Sequence, residues 1–198
     1  MEKKDIPFLS VAELSEFIFQ KVVSPVEVTE SYLDRIDSLN FKFNSYLTVC
    51  RKEALQSARE AERAILQGNY LGAMHGIPVA VKDQLWTKGI RTTIGSRLMA
   101  DFYPEEDATA VANLKTAGAI ILGKTNLTEF AIGGSQRFGP NRNPWDLDMF
   151  TAGVKRWLRI GDSRIPVRHF IGGGHRWVYS SACCMVRTCW DKAELGSG

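Results

Sequence analysis

GIPVAVKD, Gly76 to Asp83, is the stretch on which the fold turns. Three β-branched residues (Ile77, Val79 and Val81) sit in a short apolar run that closes on a charged pair, Lys82–Asp83. Apolar residues on both faces mark a strand buried from two sides, the pattern of a parallel sheet covered by helices. A second run, AIILGKT at residues 119–125, repeats it. Between the two lies a long connection and a helical stretch, ATAVANLKTAG, for which Asp107 is the expected cap and Gly118 the stop. Strand, long connection, helix, strand predicts an α/β core with a parallel crossover.

The residues before this core read as helices. Ser10 stands as an N-cap, and Leu14, Phe17, Ile18 and Val22 then fall on one face. Ser24-Pro25-x-Glu27 is a capping box with proline at the first helical position, and Val28, Tyr32, Leu33 and Ile36 form the stripe beyond it. RKEALQSAREAERAILQG at residues 51–68 is a third helix, ended by Gly68. After the second strand, Asn126 is expected to begin a short helix over LTEFA, and FGPNRNPWDLDMFTAG to form a loop.

With 44% of its 198 residues hydrophobic and 24% charged, the chain has the composition of an ordinary globular protein. No apolar run approaches the roughly 18–20 residues that span a bilayer, and the first residues lack the apolar segment of a signal peptide. No membrane association and a cytoplasmic, reducing location are the expectation. The net charge of +3 hides a split. Residues 1–153 carry 17 Lys+Arg against 19 Asp+Glu, and residues 154–198 carry 8 against 3. The same last segment holds three of the five Trp and three of the four Cys. Such a tail can bind nucleic acid or a metal. However, His169 and His175 with Cys183, Cys184 and Cys189 fit zinc-ligand spacing poorly, and no nucleic-acid module pattern is present.

Lys82 is the side chain with most chemical promise. A lysine kept from water loses proton affinity and can act as a base. On spacing alone, a strand-end lysine that reaches solvent is the commoner outcome. AIGGSQRFGP, residues 131–140, offers backbone amides that can hold an anion or a carbonyl oxygen, although plain turns have the same composition.

GIPVAVKD, the spacing to DATAVANLKTAGAIILGKTNLTEFA, and FGPNRNPWDLD closely resemble the amidase signature enzymes, a family that includes the glutamine-hydrolysing component (GatA) of glutamyl-tRNA amidotransferase. The match runs over about residues 9–153. The resemblance implies the N-terminal part of that α/β fold, a mixed sheet flanked by helices, with its core incomplete. It implies hydrolysis of carboxylic amides by a Ser–cisSer–Lys triad in which Lys82 is the base. Phe130, Gly133 and Gly134 match the substrate-side loop. No cofactor and no metal are implied. The expected partners are a small-molecule amide and, for a GatA-like protein, the other amidotransferase components, with no direct nucleic-acid contact. TKGIRTT and NPWDLD resemble the amidotransferase component, whereas the short FAIGGSQRFGP loop favours a general amidase.

Both family serines lie in motifs absent from this chain, GGSSGGS and DTGGS-I/V-R-x-P. The genetic code accounts for both. If bases two and three of each codon are joined to base one of the next, the codons from Val154 to Arg159 can read S-S-G-G-S. Those from Gly172 to Ser181 can read G-A-D-T-G-G-S-I-R-Q. The serines that begin at Val154 and Val178 are 24 codons apart, a separation that suits the family. The expected organisation is therefore residues 1–153 as an amidase portion and residues 154–198 as an out-of-frame tail with no native fold. A truncated remnant or interaction fragment is the alternative.

Overall fold

The computed structural model describes residues 3–132, 135–144 and 146–150. Helix α1 (Val11–Phe19) and helix α2 (Pro25–Phe43) each begin in a reciprocal capping box, Ser10 with Glu13 and Ser24 with Glu27. Each box satisfies two amides that a helix start leaves open, at about 1 kcal/mol for the capping side chain. Leu14 and Ile18 of α1 are buried as expected, but Val22 lies past the helix end and is exposed. The chain then forms strand β1 (Tyr46–Val49), which the sequence pattern does not announce, and helix α3 (Arg51–Leu66).

Strand β2 (Pro78–Lys82), helix α4 (Thr109–Thr116) and strand β3 (Ile120–Thr125) make the expected crossover, with β2 and β3 parallel. β1 joins the far side of β3 antiparallel, so the sheet is mixed, in the order β1-β3-β2. Leu33 and Ile36 of α2 and Ala54 and Ala58 of α3 pack with Ile120 and Leu122 on one face. Val111 of α4 packs with Val81 and Ile121 on the other. β3 is buried along its whole length, the reason its sequence reads as an apolar run.

The cap of α4 differs from expectation. Ala108 occupies the cap position, and Asp107 instead accepts from the Lys88 amide at 2.7 Å and pairs with Lys115 at 2.8 Å. The LTEFA segment is a single 3-10 turn over Glu129–Ala131, and the Pro/Asn-rich loop contains a small hairpin, β4 (Arg142–Asn143) with β5 (Asp146–Phe150). No helix among the described residues is long and apolar enough to cross a membrane.

Candidate active site at the carboxyl end of the sheet

Lys82 closes β2, paired in register with Thr125, the last residue of β3. Both parallel strands therefore end together, the place where an α/β sheet presents its functional groups. Lys82 is only 6% exposed, so the solvent-reaching alternative fails. Burial lowers its proton affinity below that of an ordinary lysine, with no charged neighbour contributing among the described residues. A lysine in this state supplies a neutral amine at a pH where a free lysine is almost wholly protonated.

Asp83 follows on the opposite face and is completely buried. Its Oδ2 accepts from the Thr93 amide at 2.9 Å and from the Thr93 hydroxyl at 2.5 Å. Its backbone is held too: the Asp83 amide donates to Thr125 O at 3.1 Å, and the Ile94 amide donates to Asp83 O at 3.2 Å. Burial raises the Asp83 carboxyl, while Thr93 and the charge of Lys124 oppose that shift.

Phe130 lies near this strand end through the backbone. Its amide donates to Ile94 O at 2.9 Å. Phe130, Ala131 and Ile94 all have positive φ, 51°, 58° and 52°. Non-glycine residues rarely adopt that region, and a β-branched one is a marked exception, so this turn carries local strain. Glu129 secures it by accepting from the hydroxyls of Ser96 and Ser135, each at 2.8 Å, and from Arg137 at 3.0 Å. The Ser96 bond leads the causes that hold the Glu129 carboxyl below its usual range. Phe130 itself is 45% exposed. Gly133 and Gly134, the other two expected substrate-side residues, lie outside the described residues, as does the whole 154–198 segment.

Two features have no counterpart in the sequence pattern. One is Lys124, wholly buried in β3 beside the Asp83 carboxylate. Its signal was a lysine inside an otherwise apolar strand, which burial makes costly unless it is partnered. The other is a cleft of about 600 Å³ lined by Glu53, Glu60, His75, Lys88 and Lys115 among others. None of the four expected site residues lines it. Among the described residues, no cluster of three or more His, Cys, Asp and Glu could hold a metal ion.

These features define an α/β domain that buries a proton-poor lysine at the carboxyl end of a parallel strand, beside a strained turn. The family model described as Amidase matches residues 27–154. The chain belongs to the amidase family, the amidase signature enzymes. It is 45% identical over 152 residues to the GatA component of the glutamyl-tRNA(Gln) amidotransferase of Carboxydothermus hydrogenoformans, a match covering 75% of this chain and 31% of that protein. Among solved structures it resembles a peptide amidase bound to the competitive inhibitor chymostatin, with a TM-score of 0.69 and 32% identity over 73% of this chain and 31% of that one. It also resembles a bacterial aryl acylamidase of the amidase signature family, with a TM-score of 0.69 and 31% identity over 74% and 31%. The chain thus spans about a third of the length of these relatives.

Proposed function

We propose that this chain is the N-terminal part of an enzyme that hydrolyses carboxylic amides, with Lys82 as its base. The observation that carries the reading is the buried, proton-poor Lys82 at the shared end of two parallel strands, in a chain of the amidase family. A serine hydroxyl is a weak nucleophile and needs a base. Neutral Lys82 accepts a proton through a bridging serine, and the nucleophilic serine forms a bond to the amide carbonyl carbon. Backbone amides of the glycine-rich nucleophile loop hold the oxyanion. When the tetrahedral centre collapses, the C–N bond breaks and the nitrogen leaves as ammonia or amine, with the proton returned from the lysine. Water then cleaves the acyl-serine ester. No metal and no organic cofactor enters these steps.

Both serines belong to the segment after Gly153, which we read as the family's signature region translated out of frame. One extra base or two missing bases near the Gly153 codon produces the sequence observed. The 198-residue polypeptide holds Lys82 without either serine, and its expected amidase rate is background. A rate above background from that purified polypeptide on a simple amide contradicts this. With the frame restored, amide hydrolysis is expected, and Lys82→Ala abolishes it.

One observation favours a second reading of the same chemistry. Identity to the glutamyl-tRNA(Gln) amidotransferase component is 45%, against 32% to the peptide amidase. In this reading the amide is glutamine, and the ammonia passes to the other components of an amidotransferase. Glutamine hydrolysis that rises when those components are added separates it from a free-standing amidase.

A further inference from the structure

Lys124 is buried with no part of its side chain in solvent, and the amide-cleaving steps do not use it. An irregularity in the sheet aims it. The β2–β3 register passes from Val79↔Ile121 to Ala80↔Gly123, so Leu122 is an extra residue in β3. Such a bulge turns the following side chains to the other face. Val81 and Lys124 become register partners, and Lys124 shares a face with Val81 and Asp83. Gly123 permits the bulge, because a Cβ there would run into the Thr48 carbonyl oxygen.

The surroundings of Lys124 fix its charge. Nζ donates to Leu85 O, to Thr87 Oγ1 at 3.1 Å and to Thr92 Oγ1 at 2.8 Å. The two hydroxyl protons are engaged elsewhere: Thr87 donates to Leu85 O at 3.1 Å and Thr92 to Ile90 O at 3.0 Å. Three acceptors therefore face Nζ. An ammonium has three N–H groups to meet them, and a neutral amine has two. The counter-charge is Asp83, whose Oδ1 lies 4.0 Å from Nζ and has no hydrogen-bond partner among the described residues.

This pair ties the strand end to everything around it. Lys124 binds the segment that follows β2 at Leu85, Thr87 and Thr92. Asp83 binds Thr93, whose hydroxyl oxygen accepts from the Gly95 amide at 3.1 Å. The Ile94 carbonyl oxygen accepts from the Phe130 amide. We propose that Lys124 is a positioning residue for Lys82: its ammonium, neutralised by Asp83, clasps residues 85–95 against the sheet, which keeps water from the Lys82 amine and holds the Phe130 turn in place. The role rests on Lys82 as the base, but the clasp is measurable without catalysis. Burial brings Lys124 down to about 8, so it titrates within an accessible range. The other groups that bear on it are Cys50, Asp107 and Lys115. Burial pushes the Cys50 thiol up to about 11, which leaves it neutral there.

The test uses the full 198-residue chain with carbon-13 lysine and nitrogen-15 amides, followed by NMR from about pH 6 to 11, a window that spans the lysine range. Deprotonation of Lys124 is expected to shift the Lys82 side chain and the Gly95 and Phe130 amides at one shared midpoint. In Lys124→Met, Lys82 is expected to titrate closer to the ordinary lysine value of about 10.4, and exchange of the Gly95 amide to speed up about tenfold. Lys124→Met leaves a lone buried carboxylate, so Lys124→Met/Asp83→Asn serves if the single variant does not fold. The proposal is overturned if Lys82 keeps its wild-type titration in either folded variant, or if Lys124 titrates in wild type without moving Lys82 and Phe130. A merely structural lysine would lower the melting temperature and leave the Lys82 titration in place. Failure of Lys82 as the catalytic base would appear instead as undiminished turnover of Lys82→Ala in the frame-restored enzyme.

Discussion

Lys82 and Thr125 are partners at the last rung of the parallel β2–β3 ladder, so the amine leaves the sheet where both strands end. Burial at that rung lowers its proton affinity. A base must be neutral to work, so kcat/KM of the frame-restored enzyme should rise as pH climbs through the lowered Lys82 value, below the ordinary lysine range of about 10.4. Lys82→Ala should cost at least ~10²–10⁴-fold in kcat, the usual contribution of a general base, with the rising limb lost. A pH–rate profile of both proteins checks this.

Thr93 satisfies one oxygen of a carboxylate that has no access to water. Thr93→Val removes the hydroxyl that donates to Asp83 and accepts from the Gly95 amide. A buried hydrogen bond to a charged group contributes about 1.5–3 kcal/mol, and a loss of that size should appear in denaturant unfolding.

Gly118 links α4 to β3 at φ +81°, with the His75 ring against it. An added Cβ would lie 2.5 Å from His75 Cδ2 and 3.1 Å from its Cα, so Gly118→Ala must move the backbone. Strain of both kinds places the expected loss at about 2–3 kcal/mol, readable in the unfolding midpoint.

His75 is buried, and its Nδ1 accepts from the Leu71 amide at 3.1 Å, which requires that nitrogen to be unprotonated. Burial lowers its value from 6.5. The unfolded chain therefore binds a proton in a window where the folded one does not. The His75 contribution to stability is full above about 6.5 and falls as pH drops from there toward the lowered folded value. Wild type should lose unfolding free energy across that window, and His75→Asn, which keeps an acceptor in place, should lose less. Unfolding curves at about pH 7 and pH 5, on either side of the ordinary histidine value, decide it.

Much of the framework was legible because its signals are local. Ser10 with Glu13 and Ser24 with Glu27 announce two helices, and the β-branched runs ending at Lys82 and Thr125 announce the crossover. The position of Lys82 was legible from its strand, but its burial depends on residues from elsewhere in the chain. β1 was missed because YLTV is four residues between two helices with no turn signal, and only pairing with β3 makes it a strand. Lys124 was missed for a related reason. A bulge at Leu122–Gly123 and hydroxyls from the segment after β2 make it a partnered ammonium, and strand periodicity contains none of that. Asp107 looked like a cap because it precedes the helix; its actual partners, Lys88 and Lys115, are a loop amide and a helix-end side chain.

The most direct measurement is to sequence the gene and its transcript across the codons for Thr151 to Lys155. The account predicts a single-base insertion or a two-base deletion relative to the family's reading frame. Correcting it restores SSGGS and DTGGS after Gly153 and gives Lys82 both serines of its triad. An unchanged sequence would contradict the account, because residues 154–198 would then be what the gene encodes and Lys82 would have no serine to serve.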